Sequence, residues 1–502
     1  MCGIVGIVAA NAVNQDIYDA LTILQHRGQD AAGILTSDMK QVFLRKANGL
    51  VRDVVQASHM RMLAGHVGLG HVRYPTAGSP SAEESQPFYV NAPYGLGLVH
   101  NGNLTNTDKL NDTVVRLDRR HLNTASDSEI LLNVVAHELA QISPSVSMPK
   151  ALFSAMEVVY SRLEGAYSVL LLIQGVGLVG FRDAFGIRPL VIGVRPSTHP
   201  SASMTQEVML ASESIALDAL GFSCMGDVAP GEVVFVDLTG RIHRQVCARA
   251  TQLLPCLFEY IYLARPDSIL DGISVYAAHW EMGISLAHTV QASGVAPDID
   301  VVIPIPETSR TAAQALSQCL NIPYAEGFVK NRYIGRTFIM PGNRMRRSAV
   351  RLKLNPIRQV FAGKTVLLVD DSVVRGTTSR EIIQMAREAG AKRVYFASAA
   401  PAVRYPNVYG IDTPSAEELI AHGRTVEEVA VAIAADQLFY PTLEAVVVAV
   451  KRAGGAHCRV QQFEDSMFTG VYRSGQITPA YLAELVESRR RVSEKSSLVP
   501  AS

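Results

Sequence analysis

The chain has 502 residues, is 48% apolar, and carries 46 basic against 46 acidic side chains, for a formal net charge of zero and a pI near 7.2. It is long and apolar enough for two domains of over about 200 residues each, with large cores. Balanced charge, without a basic tail or zinc-finger spacing, argues against a nucleic-acid partner. Residues 1–13 are apolar but have no Lys or Arg ahead of them, so the n-region of a signal peptide is missing. The run Ala166–Phe181 is interrupted by Gln174 and three glycines. It falls short of the roughly 20 residues a membrane-spanning helix needs and reads as a β-hairpin. A cytoplasmic protein without membrane contact is expected.

Cys2 directly follows Met1, and its side chain is small enough for the initiator methionine to be removed. The product would be a cysteine with a free α-amine. Such an amine titrates at about 7.7–8.0, so near neutrality enough of it is unprotonated to take the thiol proton, directly or through water. Nucleophile and base would then share one residue. Alone, Cys2 also reads as the start of a buried strand over the apolar Gly3–Ala10.

Four polar clusters follow, each joined to an apolar strand or a helix start: Gln25–Asp30, His71–Thr76, His100–Leu104 and Ser126–Glu129. Each has a structural reading of its own. Arg73, near Pro75 and Gly78, could be a surface-loop arginine, and Asn101–Gly102 is a hairpin-turn signal between Leu96–Val99 and Leu104. Ser126 and Glu129 form a capping box for a helix through Ile130, Leu131, Val134 and Val135. Their chemistry permits another reading. Arginine offers a bidentate fork to a carboxylate, aspartate pairs with an ammonium, and an Asn amide with a Gly N–H can stabilise a tetrahedral oxyanion.

The pattern changes between residues 237 and 257, where Leu238-Thr239-Gly240 and a polar stretch end the region of short strands before a helical Leu257–Tyr262. The expected units are 2–237, 258–472 and a C-terminal helix with a loose tail over 473–502. In the second unit, strands at 300–305, 323–329, 366–370 and 393–398 alternate with helical patterns, as in βαβ units. Ligands should lie at the C-terminal ends of those strands. From Glu326 to Lys353, eight basic residues including Lys330, Arg332 and Arg351 face a single acid. With Gly335 and Gly342 allowing movement, this run could close over a diphosphate.

The strongest signal is Val366–Ser379, where a buried apolar strand stops at Asp370 and Asp371 and enters the small-residue loop Ser372 to Ser379. Gly376, Thr377, Thr378 and Ser379 can turn backbone N–H groups and hydroxyls around an anion, and a helix follows, with Thr378 as N-cap and Glu381 completing a capping box. A loop that bound only phosphate would avoid adjacent negative charge. The two aspartates therefore face something else, such as ribose hydroxyls or a hydrated Mg²⁺.

This segment resembles the phosphoribosyl pyrophosphate (PRPP) signature of type I phosphoribosyltransferases. The segments of the first half, in their order behind Cys2-Gly3-Ile4-Val5-Gly6, resemble the glutaminase domain of N-terminal-nucleophile amidotransferases. Together, over roughly residues 2–472, they resemble the amidophosphoribosyltransferase family. Val302–Ser309 is similar to that family's pyrophosphate loop, Glu259–Ser268 contains its Ala-Arg-Pro-Asp-Ser segment, and Gly327–Met340 is similar to its flexible loop. The resemblance implies an αββα sandwich followed by a phosphoribosyltransferase domain with a mainly parallel sheet. It implies that glutamine is hydrolysed through a Cys2 thioester, and that the ammonia attacks PRPP to give 5-phosphoribosylamine, glutamate and pyrophosphate, the entry step of purine synthesis.

By the same resemblance Asn101 and Gly102 form the oxyanion hole, while Arg73, Asp127, Arg27 and Thr76 belong to the glutamine site. Asp370 and Asp371 hold the ribose hydroxyls, and Ser372, Arg375, Gly376, Thr377, Thr378 and Ser379 wrap the 5-phosphate. Glu307, Lys330 and Arg332 join the PRPP site, one Mg²⁺ per subunit falls to Thr308, Asp370 and Asp371, and Tyr74 and Ile334 line a dry ammonia passage. Partners implied are glutamine, PRPP, purine nucleotides as feedback inhibitors, and further copies of the chain in a homotetramer or other homo-oligomer.

Some family members carry a [4Fe-4S] cluster and a propeptide, and this chain departs from both. The six cysteines, Cys2, Cys224, Cys247, Cys256, Cys319 and Cys458, contain no CxxC pair, and Asn407 stands where the cluster type has cysteine. Reduced thiols and no iron-sulfur cluster are expected. Glucosamine phosphate synthase and asparagine synthetase share the glutaminase half but lack the loop at 370–379. The alternative from another class is a PRPP-sensing regulator with a degenerate active site, which should carry a DNA-binding helical domain in place of Cys2 and its accompanying segments.

Overall fold

The structure is a computed structural model that describes residues 2–74, 82–143, 146–201, 204–331 and 350–487. Thr76, Arg332 and Ile334 lie outside the described residues.

Two antiparallel sheets face one another in the first half. In the seven-stranded sheet the order is Ser223–Asp227, Val191–Ser201, Met204–Ala211, Gly3–Val8, Val67–Arg73, Ala31–Ser37, Val42–Asn48. The six-stranded sheet runs Ile242–Val246, Glu232–Asp237, Gly177–Arg182, Gly165–Ile173, Leu96–Leu104, Phe88–Val90. Alternation along the strands makes the sandwich, because successive side chains point to opposite faces. Ile4 and Val8 join Leu69, Val99, Leu170, Leu172, Ile192 and Val234 between the sheets, while Val5 and Ile7 face the helix Asn14–Ile23 outside. On the other side, the helices Asp127–Ala140 and Met148–Arg162 cover the six-stranded sheet through Leu131, Val135, Leu152 and Met156. The layers are αββα, as the resemblance implied. Ala166–Phe181 forms the expected hairpin, with Ile173 opposite Gly177. The hairpin Glu232–Asp237 with Ile242–Val246 carries the six-stranded sheet past the boundary expected at 237.

The second half is built on a parallel four-stranded sheet in the order Val301–Pro304, Thr365–Asp370, Arg393–Ser398, Gln437–Phe439. One face packs on the helices Val275–Ala292 and Arg310–Leu320, the other on Thr377–Glu388 and Val426–Ile433. Three of the four expected strands fall where the apolar runs placed them. At 323–329 only Phe328–Lys330 is a strand, and it pairs antiparallel with Leu354–Pro356 away from the main sheet. Pro323 and Ala325 exchange hydrogen bonds with Val302 alone, so this segment never becomes a fifth strand. The stretch expected to be helical at 257–262 is helical over 257–263, with the π turn Glu259–Leu263 forming most of it. Among the described residues no helix is long and apolar enough to cross a membrane.

Candidate functional site

The strand that begins at Gly3 delivers Cys2 to the edge of the sandwich, where the cysteine is buried. Its backbone N–H donates to Asn101 Oδ1 at 3.2 Å, and its Sγ lies 3.7 Å from the Tyr74 carbonyl oxygen. Cys2, Arg73, Tyr74, Gly102, Ser126 and Asp127 line one small polar cleft together with Glu84, Gln86, His100 and Ser128. Residues from four separate segments thus meet around one sulfur.

Asn101 and Gly102 are not a hairpin turn. Both continue the strand Leu96–Leu104, opposite Ser168 and Tyr167. Gly102 has φ +150°, and a Cβ there would sit 2.0 Å from the Ala166 carbonyl oxygen, so only glycine fits. The Asn101 amide is oriented by the Cys2 N–H, and its Nδ2 is buried with no hydrogen-bond acceptor among the described residues. A buried amide donor left without a partner is costly unless something transient accepts from it. An oxyanion formed at the neighbouring sulfur would do so.

Arg73 donates to Glu84 Oε2 at 2.9 Å. Asp127 opens the helix Asp127–Ala140 and accepts from the Leu104 N–H at 3.1 Å and from Ser128 Oγ at 3.2 Å. The capping box expected here does not form. Ser126 accepts from the Ser128 N–H, while the Glu129 carboxylate reaches back to the N–H groups of Asn123 and Thr124. One buried imidazole, His100, lines the cleft, and a second, His71, lies 3.2 Å from the His100 carbonyl oxygen. Burial, reinforced by Arg73, pushes His71 down to about 3, and burial lowers His100 as well, so neither adds charge at neutral pH. Sequence reasoning did not assign roles to Glu84, Gln86 or Ser128; Gln86 receives the His100 N–H at 2.7 Å and donates to Ser128 Oγ at 3.0 Å.

Arg27, expected in the glutamine site, faces away from open space. Its side chain is fully buried, Nε donates to the Cys2 carbonyl at 3.0 Å, and its two terminal nitrogens bond Glu213 and Glu259. It touches the nucleophile's backbone instead of the cleft.

The second site lies at the C-terminal ends of the parallel strands. Asp370 ends the central strand, and Asp371 begins the loop; both are buried. The Asp371 N–H donates to Asp370 Oδ1 at 3.0 Å, and Asp371 accepts hydroxyl bonds from Thr308 and from Ser372, the latter at 2.8 Å. Burial and the neighbouring Asp371 raise Asp370 well above the usual carboxylate range, and burial raises Asp371 too. The pair is therefore short of positive charge or hydrogen-bond donors, the condition that a divalent cation or a vicinal diol relieves. Among the described residues no group of three or more His, Cys, Asp or Glu side chains could hold a metal. A cation held here would need oxygens from its substrate as well.

The loop that follows places Gly376 at φ +74° as N-cap of the helix Thr377–Glu388, two residues earlier than the Thr378 cap expected from sequence. A Cβ on Gly376 would lie 2.2 Å from Ile420 Cδ1, so the left-handed glycine and the tight packing go together. With Thr377 and Thr378 exposed and Ser379 buried at the first turn, the helix N-terminus opens onto the loop as an anion site requires. Arg375 is exposed with its Nε 3.6 Å from Glu418, and Lys330 is exposed at the end of its short strand. Glu307 is paired with Arg310 at 2.7 Å. Arg351, counted in the basic run, is instead paired with Glu388 on the helix Thr377–Glu388.

The two sites are physically joined. Asp370 and Asp371 accept backbone bonds from Ala399 and Ala400, and the chain from there leads to Val408, whose carbonyl accepts from Asn103 Nδ2 at 2.9 Å. Gly410 packs against Gly102 so closely that a Cβ would sit 2.8 Å from the Gly102 carbonyl. Asn407 is buried and its Oδ1 receives the N–H groups of Tyr409 and Ile411, holding this loop's shape.

Comparison with known proteins agrees with this division. A glutamine amidotransferase domain model matches residues 71–219, and a phosphoribosyl transferase domain model matches residues 288–407. Proteins named amidophosphoribosyltransferase are 55% identical in Pseudomonas aeruginosa, over 99% of this chain and 98% of the relative, and 47% identical in Schizosaccharomyces pombe, over 97% and 93%. The solved glutamine PRPP amidotransferase from B. subtilis, complexed with ADP and GMP, is similar with a TM-score of 0.81 and 35% identity, over 95% of this chain and 98% of that one. A structure described as the allosteric regulatory enzyme of purine biosynthesis gives 0.82 and 35%, over 95% and 97%. Identity at this level along nearly the whole of both chains means that this chain belongs to the amidophosphoribosyltransferase family.

Proposed function

We propose that this chain performs its family's reaction, transfer of the glutamine amide nitrogen to PRPP, with the two sites described above. In the first, the Cys2 α-amine released by removal of Met1 takes the thiol proton, and the sulfur attacks the glutamine side-chain carbonyl. Asn101 Nδ2 and the Gly102 N–H hold the oxyanion, Arg73 the substrate carboxylate and Asp127 its ammonium group. Ammonia leaves, and water releases glutamate from the thioester. Thr76 belongs with this site on sequence grounds. The observation that carries the reading is the buried Asn101 Nδ2, without an acceptor among the described residues, on the amide that takes the Cys2 N–H beside the cleft of Arg73 and Asp127.

In the second site Asp370 and Asp371 bind the ribose hydroxyls. Ser372, Arg375, Gly376, Thr377, Thr378 and Ser379 enclose the 5-phosphate, and Glu307, Lys330 and Arg332 attend the pyrophosphate. The donor set of Thr308, Asp370 and Asp371 fits one Mg²⁺, which when bound with substrate oxygens would neutralise charge on the departing pyrophosphate. Ammonia attacks only in its unprotonated form, so a passage lined by Tyr74 and Ile334 keeps it from bulk water. Work in the cytoplasm, a homo-oligomeric state and inhibition by purine nucleotides complete the reading. The last is supported by the ADP and GMP in the B. subtilis relative.

The test is glutamate release with and without PRPP. Release should rise strongly when PRPP is present, and replacing Ile334 by a small or charged residue should leave glutaminase running while phosphoribosylamine falls. Equal rates with and without PRPP in the unaltered chain refute the coupling. Separately, Asn101→Ala should lower glutaminase kcat by about 10²–10³-fold, the usual loss on removing one oxyanion donor. The corresponding measurement is kcat at saturating glutamine, since KM should change little.

A further inference from the structure

Cys2 is held from behind by a chain of buried charges that begins in the other half of the molecule. Arg27 Nε donates to the Cys2 carbonyl at 3.0 Å, the group that links the nucleophile to the first strand. The guanidinium is oriented by two carboxylates: Glu213 Oε1 at 2.5 Å and Glu259 Oε1 at 2.9 Å. Both acids are buried, and both are anchored beyond the glutaminase sandwich. Glu213 Oε2 accepts from the Arg265 N–H at 3.0 Å and from Ser268 Oγ at 2.7 Å. Glu259 sits on the π turn Glu259–Leu263 and lies 3.5 Å from Arg188, whose Nε donates to the Tyr409 carbonyl at 2.7 Å. Tyr409 belongs to the loop packed against Gly102.

Two guanidiniums face two carboxylates, and the His26 ring adds a contact to Glu213 Oε1 at 2.8 Å, so each buried acid has a charged partner. Burial by itself raises Glu213, and Arg27 with His26 more than reverses this, so the carboxylate is ionised throughout the working pH range. A guanidinium gripped on both terminal nitrogens has a single orientation, and its Nε–H then fixes the Cys2 carbonyl. None of these side chains except Arg27 touches Cys2, so their effect reaches the reaction through Arg27.

We propose that Glu259 and Ser268, on the segment Glu259–Ser268 outside the sandwich, are positioning residues for the glutaminase step: through Glu213 and Arg27 they fix the nucleophile-bearing end of the chain against Asn101 and Gly102. The proposal rests on Cys2 being the glutaminase nucleophile. It makes docking of the two halves a condition for an aligned sulfur, in addition to any passage for ammonia.

The experiment compares Glu259→Gln, Glu259→Asp and Ser268→Ala with the unaltered chain in three assays: glutamine-dependent synthesis, synthesis from added ammonium chloride, and the rate of Cys2 alkylation by a glutamine-analogue alkylator. Misplacing a reacting group by about 1 Å costs up to ~10²-fold, so Glu259→Gln should lower glutamine-dependent kcat and the alkylation rate by about tenfold or more. KM for glutamine and ammonia-dependent synthesis should stay within about twofold, and Glu259→Asp should recover part of the loss, since a carboxylate can still reach the guanidinium. Ser268→Ala, which leaves every charge in place, should give the same pattern at about threefold. It decides the matter if Glu259→Gln does not fold. Unchanged alkylation and glutamine-dependent kcat in Ser268→Ala and Glu259→Gln overturn the proposal, as does an equal fall in the ammonia-dependent reaction, which marks a merely structural role. Failure of the alkylator to label Cys2 in the unaltered chain would instead overturn the nucleophile assignment itself.

Discussion

Replacing Cys2 by alanine should abolish glutamine-dependent phosphoribosylamine formation while leaving the ammonia-dependent reaction within about twofold of its original rate. The reason is the separation of the two chemistries. The sulfur and its amine serve only to release nitrogen, in a cleft of the αββα sandwich, whereas the sugar binds at the ends of the parallel strands in the other half. Removing a nucleophile that forms a covalent intermediate takes away the whole route, with a loss of about 10⁴-fold or more where triads have been dismantled. The alanine side chain fits the space of the cysteine, which is buried, so the fold should survive. An N-terminal extension that prevents Met1 removal should have the same selective effect with the sulfur still present, because the base would then be an amide. Assaying both variants with glutamine and with ammonium chloride distinguishes this account from one in which a side chain such as His100 is the base. In that event the extended chain would retain glutamine-dependent activity.

Physical strength explains which parts were legible in the sequence. The strand Thr365–Asp370 was readable because six consecutive residues of a parallel strand are buried on both faces, which leaves an unbroken apolar run ending in the acidic pair. The sandwich was legible only through the resemblance of the segments behind Cys2; the alternate burial along its strands is seen in the structure. Cap positions were less so. Thr378 is the better capping side chain, yet the chain enters its helix through left-handed Gly376, since Ile420 occupies the space where a Cβ would stand. At Ser126 the helix start was right but the reciprocal bond was wrong, because Glu129 found stronger partners in the amides of Asn123 and Thr124. Local preference yields wherever a tertiary contact offers more.

The larger gap concerns long-range pairs. Asn101–Gly102 carries the pattern of a turn, and nothing nearby shows that it continues a strand opposite Ser168 and Tyr167. Arg27 was grouped with substrate-binding residues through the resemblance carried by the Gln25–Asp30 cluster. Its true surroundings, Glu213 and Glu259, are far along the chain and belong to no local motif. A buried arginine needs partners that a single sequence cannot name. The short strand at 328–330 failed in the same way, since its partner, Leu354–Pro356, lies on the far side of the basic run.

Replacing Asp370 by asparagine should abolish synthesis from glutamine and from ammonia alike, and at the same time raise the thermal unfolding temperature. Each hydrogen bond to a charged group contributes roughly 1.5–3 kcal/mol, about 10–150-fold, and the carboxylate is proposed to serve both the ribose and the cation, so a loss of about 10²-fold or more is expected. The stability gain has the opposite origin. Asp370 is raised well above its ordinary value by burial and by Asp371, so the folded protein resists its ionisation more than the unfolded chain does. Below the ordinary carboxylate value of about 3.9 both states are protonated and no penalty exists. As pH rises toward the folded-state value the unfolded chain ionises first and the native state loses stability relative to it. Asparagine removes this penalty while its amide oxygen can still accept the Asp371 N–H. The unfolding temperature of Asp370→Asn should therefore exceed that of the unaltered chain at pH 8, and the difference should shrink toward pH 4. A variant that is inactive but less stable at pH 8 would show that the carboxylate is held by positive charge in the free protein. The acidic pair would then not be the site that PRPP and its cation complete.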